Sequence, residues 1–141
     1  MKKLAHFFLL ALSALTLSAC AAPEAKMAEE TPVPSPTAEY LKVSAADAKA
    51  RMDSGDEIII LDVRTKEEYD AGHIAGAILV PNETIVDQQP ELLPDLDAEI
   101  LVYCRSGNRS AQAAKKLIAI GYTNVTDFGG MIDWPYDVVT E

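Results

Sequence analysis

Two runs of apolar residues limit what this chain can become: Ile58-Ile59-Ile60-Leu61 and Ile100-Leu101-Val102-Tyr103. Neither alternates polar with apolar. Each therefore reads as a strand with both faces out of water, the pattern of a parallel sheet covered on either side by helices. Helix starts are marked by Ser44 with Asp47 and by Thr65 with Glu68, spaced as capping boxes in which the hydroxyl accepts from a free backbone N–H. These helices stop before Gly55 and at Gly72. Residues 108–120 place Ala111, Ala114, Leu117 and Ile118 at helical spacing and end at Gly121. Short strands are predicted over 40–43, 77–80 and 125–128, and a broken helix over 82–93, punctuated by Pro90 and Pro94. Strands alternating with helices give an α/β fold in three layers around a parallel sheet.

The folded domain is predicted over 39–141, because what precedes it is of another kind. Lys2 and Lys3 open a short basic stretch, and a mostly apolar run over 4–17 follows, shorter than the roughly 20 residues a membrane-spanning helix needs. Leu17-Ser18-Ala19-Cys20 then closes the pattern of a secretory signal peptide over 1–19. That block resembles the lipobox of bacterial lipoproteins, which implies cleavage before Cys20 and lipidation of its thiol. The chain is then expected to be exported and held to the cell envelope by its lipid alone, in the outer membrane facing the periplasm where the cell has one. Residues 20–38 form the expected tether. Pro23, Pro32, Pro34 and Pro36 stand there among Ala, Glu, Ser and Thr, a composition too poor in large apolar groups to bury a core.

Charge excludes one class of partner. Twelve basic residues face 22 acidic ones, and Lys2 and Lys3 belong to the leader, so the formal charge of −10 understates the acidity of what remains. Such a surface repels nucleic acid at long range. A small anion is still acceptable inside a pocket lined by local arginines, because screening confines surface charge to roughly 8–10 Å.

The chemistry centres on Cys104. It ends the second buried strand, where open α/β sheets gather their ligands, and the loop Arg105-Ser106-Gly107-Asn108-Arg109-Ser110 leads from it into the next helix. Gly107 permits a left-handed turn that aims successive N–H groups inward, and the helix start adds its own positive end. A cysteine so placed, near Arg105 and Arg109, is expected to ionise early and act as a nucleophile. An unlipidated odd cysteine in an exported protein is itself a mark of a reactive thiol. The expectation fails if the thiol titrates like an ordinary cysteine or is sealed inside the core.

Leu61-Asp62-Val63-Arg64, Glu68-Tyr69, Gly72-His73-Ile74-Ala75-Gly76-Ala77 and Pro81 together resemble the first signature of the rhodanese family, and residues 102–111 resemble its active-site loop. Gly121-Tyr122, Val125 and Gly129-Gly130 through Trp134 match its closing segment. The resemblance spans 41–138. It implies a five-stranded parallel sheet flanked by helices and a sulfurtransferase that carries sulfur as a Cys104 persulfide. Thiosulfate or a related anion is then the donor, and cyanide or a cellular thiol the acceptor. A redox or sulfur-relay protein is a further possible partner, and a carrier or interaction module without turnover is the alternative. Cysteine phosphatases use a similar cradle but set their arginine one position further from the cysteine than Arg109 stands. The shorter ring suits a single sulfur better than a phosphoryl group.

The remaining residues receive plainer roles. Asp62 and Arg64 are expected to tie the strand end to its neighbouring loop, with support of the pocket as the second option. His73 is a structural histidine, since a thiolate needs no base, and His6 leaves with the leader. Trp134 and Tyr136 are packing residues, and Asp127 and Asp133 surface carboxylates. No metal or cofactor is expected, because one remaining histidine and no paired cysteines give little ligand material.

Overall fold

The computed structural model describes residues 38–140. The expected leader, the expected lipidation site at Cys20 and nearly all of the expected tether lie outside them. Five strands form one wholly parallel sheet in the order β1-β5-β4-β2-β3. They are β1 (Leu41–Lys42), β2 (Ile59–Asp62), β3 (Ile78–Leu79), β4 (Ile100–Cys104) and β5 (Val125–Gly130). The helices are α1 (Ala45–Met52), α2 (Lys66–Asp70) and α3 (Asn108–Ile120). Both expected capping boxes form: Ser44 accepts from the Asp47 N–H, and Thr65 from the Glu68 N–H. None of the helices described is long and apolar enough to cross a membrane.

The unbroken apolar runs are explained by two cores, one on each face of the sheet. Val102 and Cys104 on β4 join Leu61, Ala113, Ala114, Leu117 and Tyr122 on the α3 side. Leu101 and Tyr103 point the other way and pack with Ala48 of α1, Ile74, Ala77 and Phe128. Side chains alternate along a strand, so a strand covered on both faces must be apolar at every position.

Two expectations need correction. Residues 82–93 hold only a single 3-10 turn, Asn82–Thr84, and the rest is irregular. Ile85 and Leu93 anchor the segment in the core, Pro90 prevents a helix from running between those anchors, and Pro94 closes the segment. Asp127 is not a surface carboxylate: it is fully buried. Its Oδ2 accepts from the Tyr40 hydroxyl at 2.7 Å and its Oδ1 from the Gly129 N–H at 2.9 Å. Burial, then the hydrogen bond and charge of Asp127, push the Tyr40 phenol up to about 12.

That carboxylate explains a break in the sheet. Val102 pairs with Asp127, yet Cys104, two residues on, pairs with Gly130, three residues on. The extra residue in β5 is a bulge, with Gly129 at φ +95° and Asp127 bonded across it. The bulge lies directly behind the Cys104 loop.

Candidate active site

Parallel strands feed their carboxyl ends into loops on one side, and Cys104 is the last residue of the central strand β4. Gly107, at φ +93°, turns the chain into α3 and serves as its N-cap without a side chain. The turn directs the Gly107 N–H at Cys104 Sγ, 3.1 Å away. The Ser110 hydroxyl lies 3.6 Å from the sulfur and 3.1 Å from the carbonyl oxygens of both Gly107 and Gly129. Its single proton can serve only one of these acceptors at a time, and an ionised sulfur is the strongest. Burial pushes the Cys104 thiol up, but hydrogen bonds from the Ser110 N–H and hydroxyl and from the Ser106 and Gly107 N–H groups outweigh it. The net direction is below an ordinary thiol.

The sulfur is nevertheless well covered, with Cys104 only 1% exposed. An inert core cysteine has that exposure too, but its sulfur faces carbon. Here the sulfur faces its own loop and sits at the floor of a ring of donors. Arg105, Ser106 and Asn108 are exposed at the rim.

Other residues take positions that sequence alone did not assign. Arg109 reaches Glu68 of α2 with both guanidinium arms, Nη1 to Oε2 at 2.7 Å and Nη2 to Oε1 at 2.9 Å. The arginine, through those hydrogen bonds, holds the Glu68 carboxyl at about 2, far below the usual carboxylate range. The pair therefore stays charged wherever the thiol titrates, and Arg109 meets the site already neutralised by a partner. Asn108 turns outward and accepts from Gln112 at 3.1 Å.

Asp62 and Arg64 form a buried ion pair, Nη2 to Oδ2 at 2.6 Å, and the same Nη2 donates to the Gly72 carbonyl at 2.8 Å. These bonds tie the end of β2 to the chain beyond α2. His73 is buried, stacked on Tyr69 with ring centroids 3.7 Å apart, and its Nδ1 is 2.9 Å from the Tyr69 carbonyl. Trp134 and Tyr136 pack edge to face with ring centroids 4.9 Å apart, continuing a line of rings from Tyr103 and Phe128.

The glycine pair behind the loop is the structural requirement sequence reading missed. A Cβ on Gly130 would fall on the Arg105 carbonyl and lie 2.6 Å from Ser106 Cα. The loop backbone therefore rests directly on β5, and the Arg105 carbonyl accepts from the Ile132 N–H at 3.1 Å. Adjacent glycines one residue past a strand's apolar run were the available signal, since a missing side chain often marks close backbone approach.

A groove of about 650 Å³ is lined by residues such as Met52, Ile74, Trp134 and Tyr136 and touches no residue of the 104–110 loop. Its size does not make it the reactive site, because it lacks a nucleophile. A smaller groove of about 440 Å³ does border the loop, at Ser106 and Gly129.

Comparison with known proteins agrees with this geometry. Residues 44–135 match the family model described as a rhodanese-like domain. Thiosulfate sulfurtransferase PspE of Escherichia coli is 37% identical over 73 residues, covering 52% of this chain and 70% of that protein. A candidate sulfur carrier protein of Bacillus subtilis, YrkF, is 35% identical over 94 residues, 66% of this chain and 50% of that one. Against the adenylyltransferase and sulfurtransferase UBA4 of Candida albicans the identity is 39% over 110 residues, 73% of this chain, but the chain spans only 25% of that relative's length. The solution structure of a rhodanese-like domain from an Anabaena protein superposes with a TM-score of 0.65 at 27% identity, covering 73% of this chain and 81% of the other. The motifs, the parallel sheet and the cysteine at the foot of its loop converge: the chain belongs to the rhodanese-like domain family.

Proposed function

We propose that the protein is a sulfurtransferase that carries one sulfane sulfur on Cys104, taken from thiosulfate or a related anion and passed to a thiophilic acceptor. The observation that carries this reading is the ring of donors beneath the loop, with the Gly107 N–H 3.1 Å from Sγ. In the first half-reaction the Cys104 thiolate attacks the outer sulfur of thiosulfate. A new S–S bond forms, the old one breaks, and its electron pair leaves with sulfite. The same N–H groups that favour the thiolate then face the persulfide anion, which has equal charge and greater length. In the second half-reaction the acceptor attacks the outer sulfur and the Cys104 thiolate is regenerated. Two covalent half-reactions of this kind give ping-pong kinetics.

A second reading, a carrier that is loaded by a partner and turns over poorly by itself, is favoured by the likeness to the Bacillus subtilis protein. Mass spectrometry of the full-length chain separates the two. With thiosulfate alone Cys104 gains about 32 Da, and cyanide or a thiol discharges it repeatedly. If thiosulfate leaves the mass unchanged while a polysulfide loads Cys104, the carrier reading replaces the enzyme.

The reading extends to location. The leader over 1–19, followed by Cys20 and a proline-rich tether over 20–38, supports an exported protein held to the envelope by lipid. Metabolic labelling with an alkyne fatty acid is expected to mark the protein, and Cys20→Ala to abolish the mark. Equal labelling of both forms would refute the anchor.

A further inference from the structure

The 440 Å³ groove beside the loop has a feature that the sulfurtransferase reading does not use. It runs between the end of β1 and the chain after β5, with Lys42 and Asp133 in its wall next to Ser106 and Gly129. Lys42 Nζ stands 3.9 Å from where a Cβ on Gly107 would be, and the Gly107 N–H is itself bonded to Cys104 Sγ. Summed through those short links, ammonium and sulfur are within about 10 Å, a distance over which salt leaves appreciable attraction.

Among the described residues neither Lys42 nor Asp133 belongs to an ion pair. Arg109, the cation expected to serve the loop, is already held by Glu68. The groove thus presents one uncommitted positive group and one uncommitted negative group beside the loop that carries the reactive sulfur. A simple dianion would be drawn to Lys42 but opposed by Asp133, whereas a molecule carrying both charges satisfies both walls.

Resting on the sulfurtransferase reading, we infer that this groove seats the acceptor, and that the acceptor is a small aminothiol bearing a carboxylate and an ammonium. Lys42 receives the carboxylate and Asp133 the ammonium, leaving the thiolate aimed at the persulfide. The thiolate attacks the outer sulfur and forms a new S–S bond. The bond from that sulfur to Cys104 Sγ breaks and leaves its electron pair on Sγ. The acceptor departs as a persulfide anion carrying the charge of the outer sulfur, so atoms and charge balance and no proton donor or external oxidant is needed. Lys42 and Asp133 are positioning residues, since neither touches the bond that breaks.

The test uses the full-length protein, saturating thiosulfate, and four acceptors at matched thiolate concentration. They are cysteine with both charges, 3-mercaptopropionate with the anion, cysteamine with the cation and 2-mercaptoethanol with neither. Cysteine is expected to give the highest kcat/KM. Lys42→Ala lowers it about fivefold for cysteine and 3-mercaptopropionate only, and Asp133→Asn about fivefold for cysteine and cysteamine only, as for partly exposed ion pairs. Equal values for all four acceptors, or variants that slow all four alike, overturn the proposal. Binding of unreactive S-methylcysteine, followed by calorimetry, keeps the groove testable if no sulfur is transferred at all. Binding weakened about fivefold in each variant sustains the groove while the sulfurtransferase reading falls, and absence of binding to the native chain, or equal binding by all three proteins, removes the groove by itself.

Discussion

Cys104→Ser is expected to lower sulfur transfer by at least about 10⁴-fold, as loss of a sole nucleophile does, and to change stability by no more than about 1 kcal/mol. The asymmetry follows from the site. Serine nearly matches cysteine in shape, and its hydroxyl can accept from the Gly107 N–H that now reaches Sγ at 3.1 Å. A hydroxyl cannot form a persulfide. The variant must therefore fold, melt near the native temperature and fail to gain mass from thiosulfate. Native-like rates in the variant would remove Cys104 from the mechanism.

The pH dependence gives an independent reading of the same site. Burial raises the thiol, the donors around it lower it, and the donors prevail. Persulfide formation should rise with pH through a midpoint below the ordinary thiol value of about 8.5 and stay level above it. The fold favours the ionised form, so this contribution to stability is full above the unfolded thiol pKa and disappears as pH falls through the folded one. Ser110→Ala deletes one donor to the sulfur and moves the midpoint upward. With Cys104 1% exposed, a bulky maleimide should label it far more slowly than thiosulfate loads it, because only a slim sulfur can enter the ring. A midpoint at or above 8.5, or no reaction with either reagent, would make the cysteine a core residue.

The contrast between what sequence disclosed and what it hid has a common physical cause. Local rules placed β4, α3, both capping boxes and the left-handed Gly107, since periodicity and glycine conformation depend on near neighbours. They also placed Cys104 at a strand end, where topology directs ligands. Three of the differences concern partners distant in sequence. Asp127 has the composition of a surface acid, and only the pairing of β1 with β5 brings Tyr40 to its carboxylate across 87 positions. Sequence places Arg109 near the sulfur but not its pairing with Glu68, which lies 41 positions away on a helix whose docking no local pattern reveals. Lys42 drew no attention at the end of a two-residue strand, yet the sheet order places that strand beside β5 and so beside the loop. The segment 82–93 differs for the opposite reason: its apolar residues are spaced for anchoring to the core, with Pro90 between them, and periodicity cannot separate that from a broken helix.

Gly130→Ala should be among the most damaging single substitutions outside Cys104 itself. The added methyl falls on the Arg105 carbonyl and 2.6 Å from Ser106 Cα, and both are backbone, so no side chain can swing aside. Overpacking against fixed atoms costs about 1–3 kcal/mol and sometimes more. The cheapest relief is to lift the 105–107 loop off β5, which carries the Ser106 and Gly107 N–H groups away from the sulfur. The Arg105 carbonyl would also lose the Ile132 N–H. Stability and chemistry therefore fall together. Melting drops by several degrees, as that free-energy range implies for a domain of this size, persulfide formation slows, and the thiol midpoint climbs toward the ordinary value as burial is left unopposed. Gly76→Ala supplies the control: that glycine has φ +80° where Gly130 is extended at −142°, and its Cβ would meet nothing within 4 Å. It should lose the roughly 1–2 kcal/mol of left-handed strain with the thiol midpoint unmoved. If Gly130→Ala lowered melting but left that midpoint in place, the sulfur would not owe its ionisation to the loop's seat on β5.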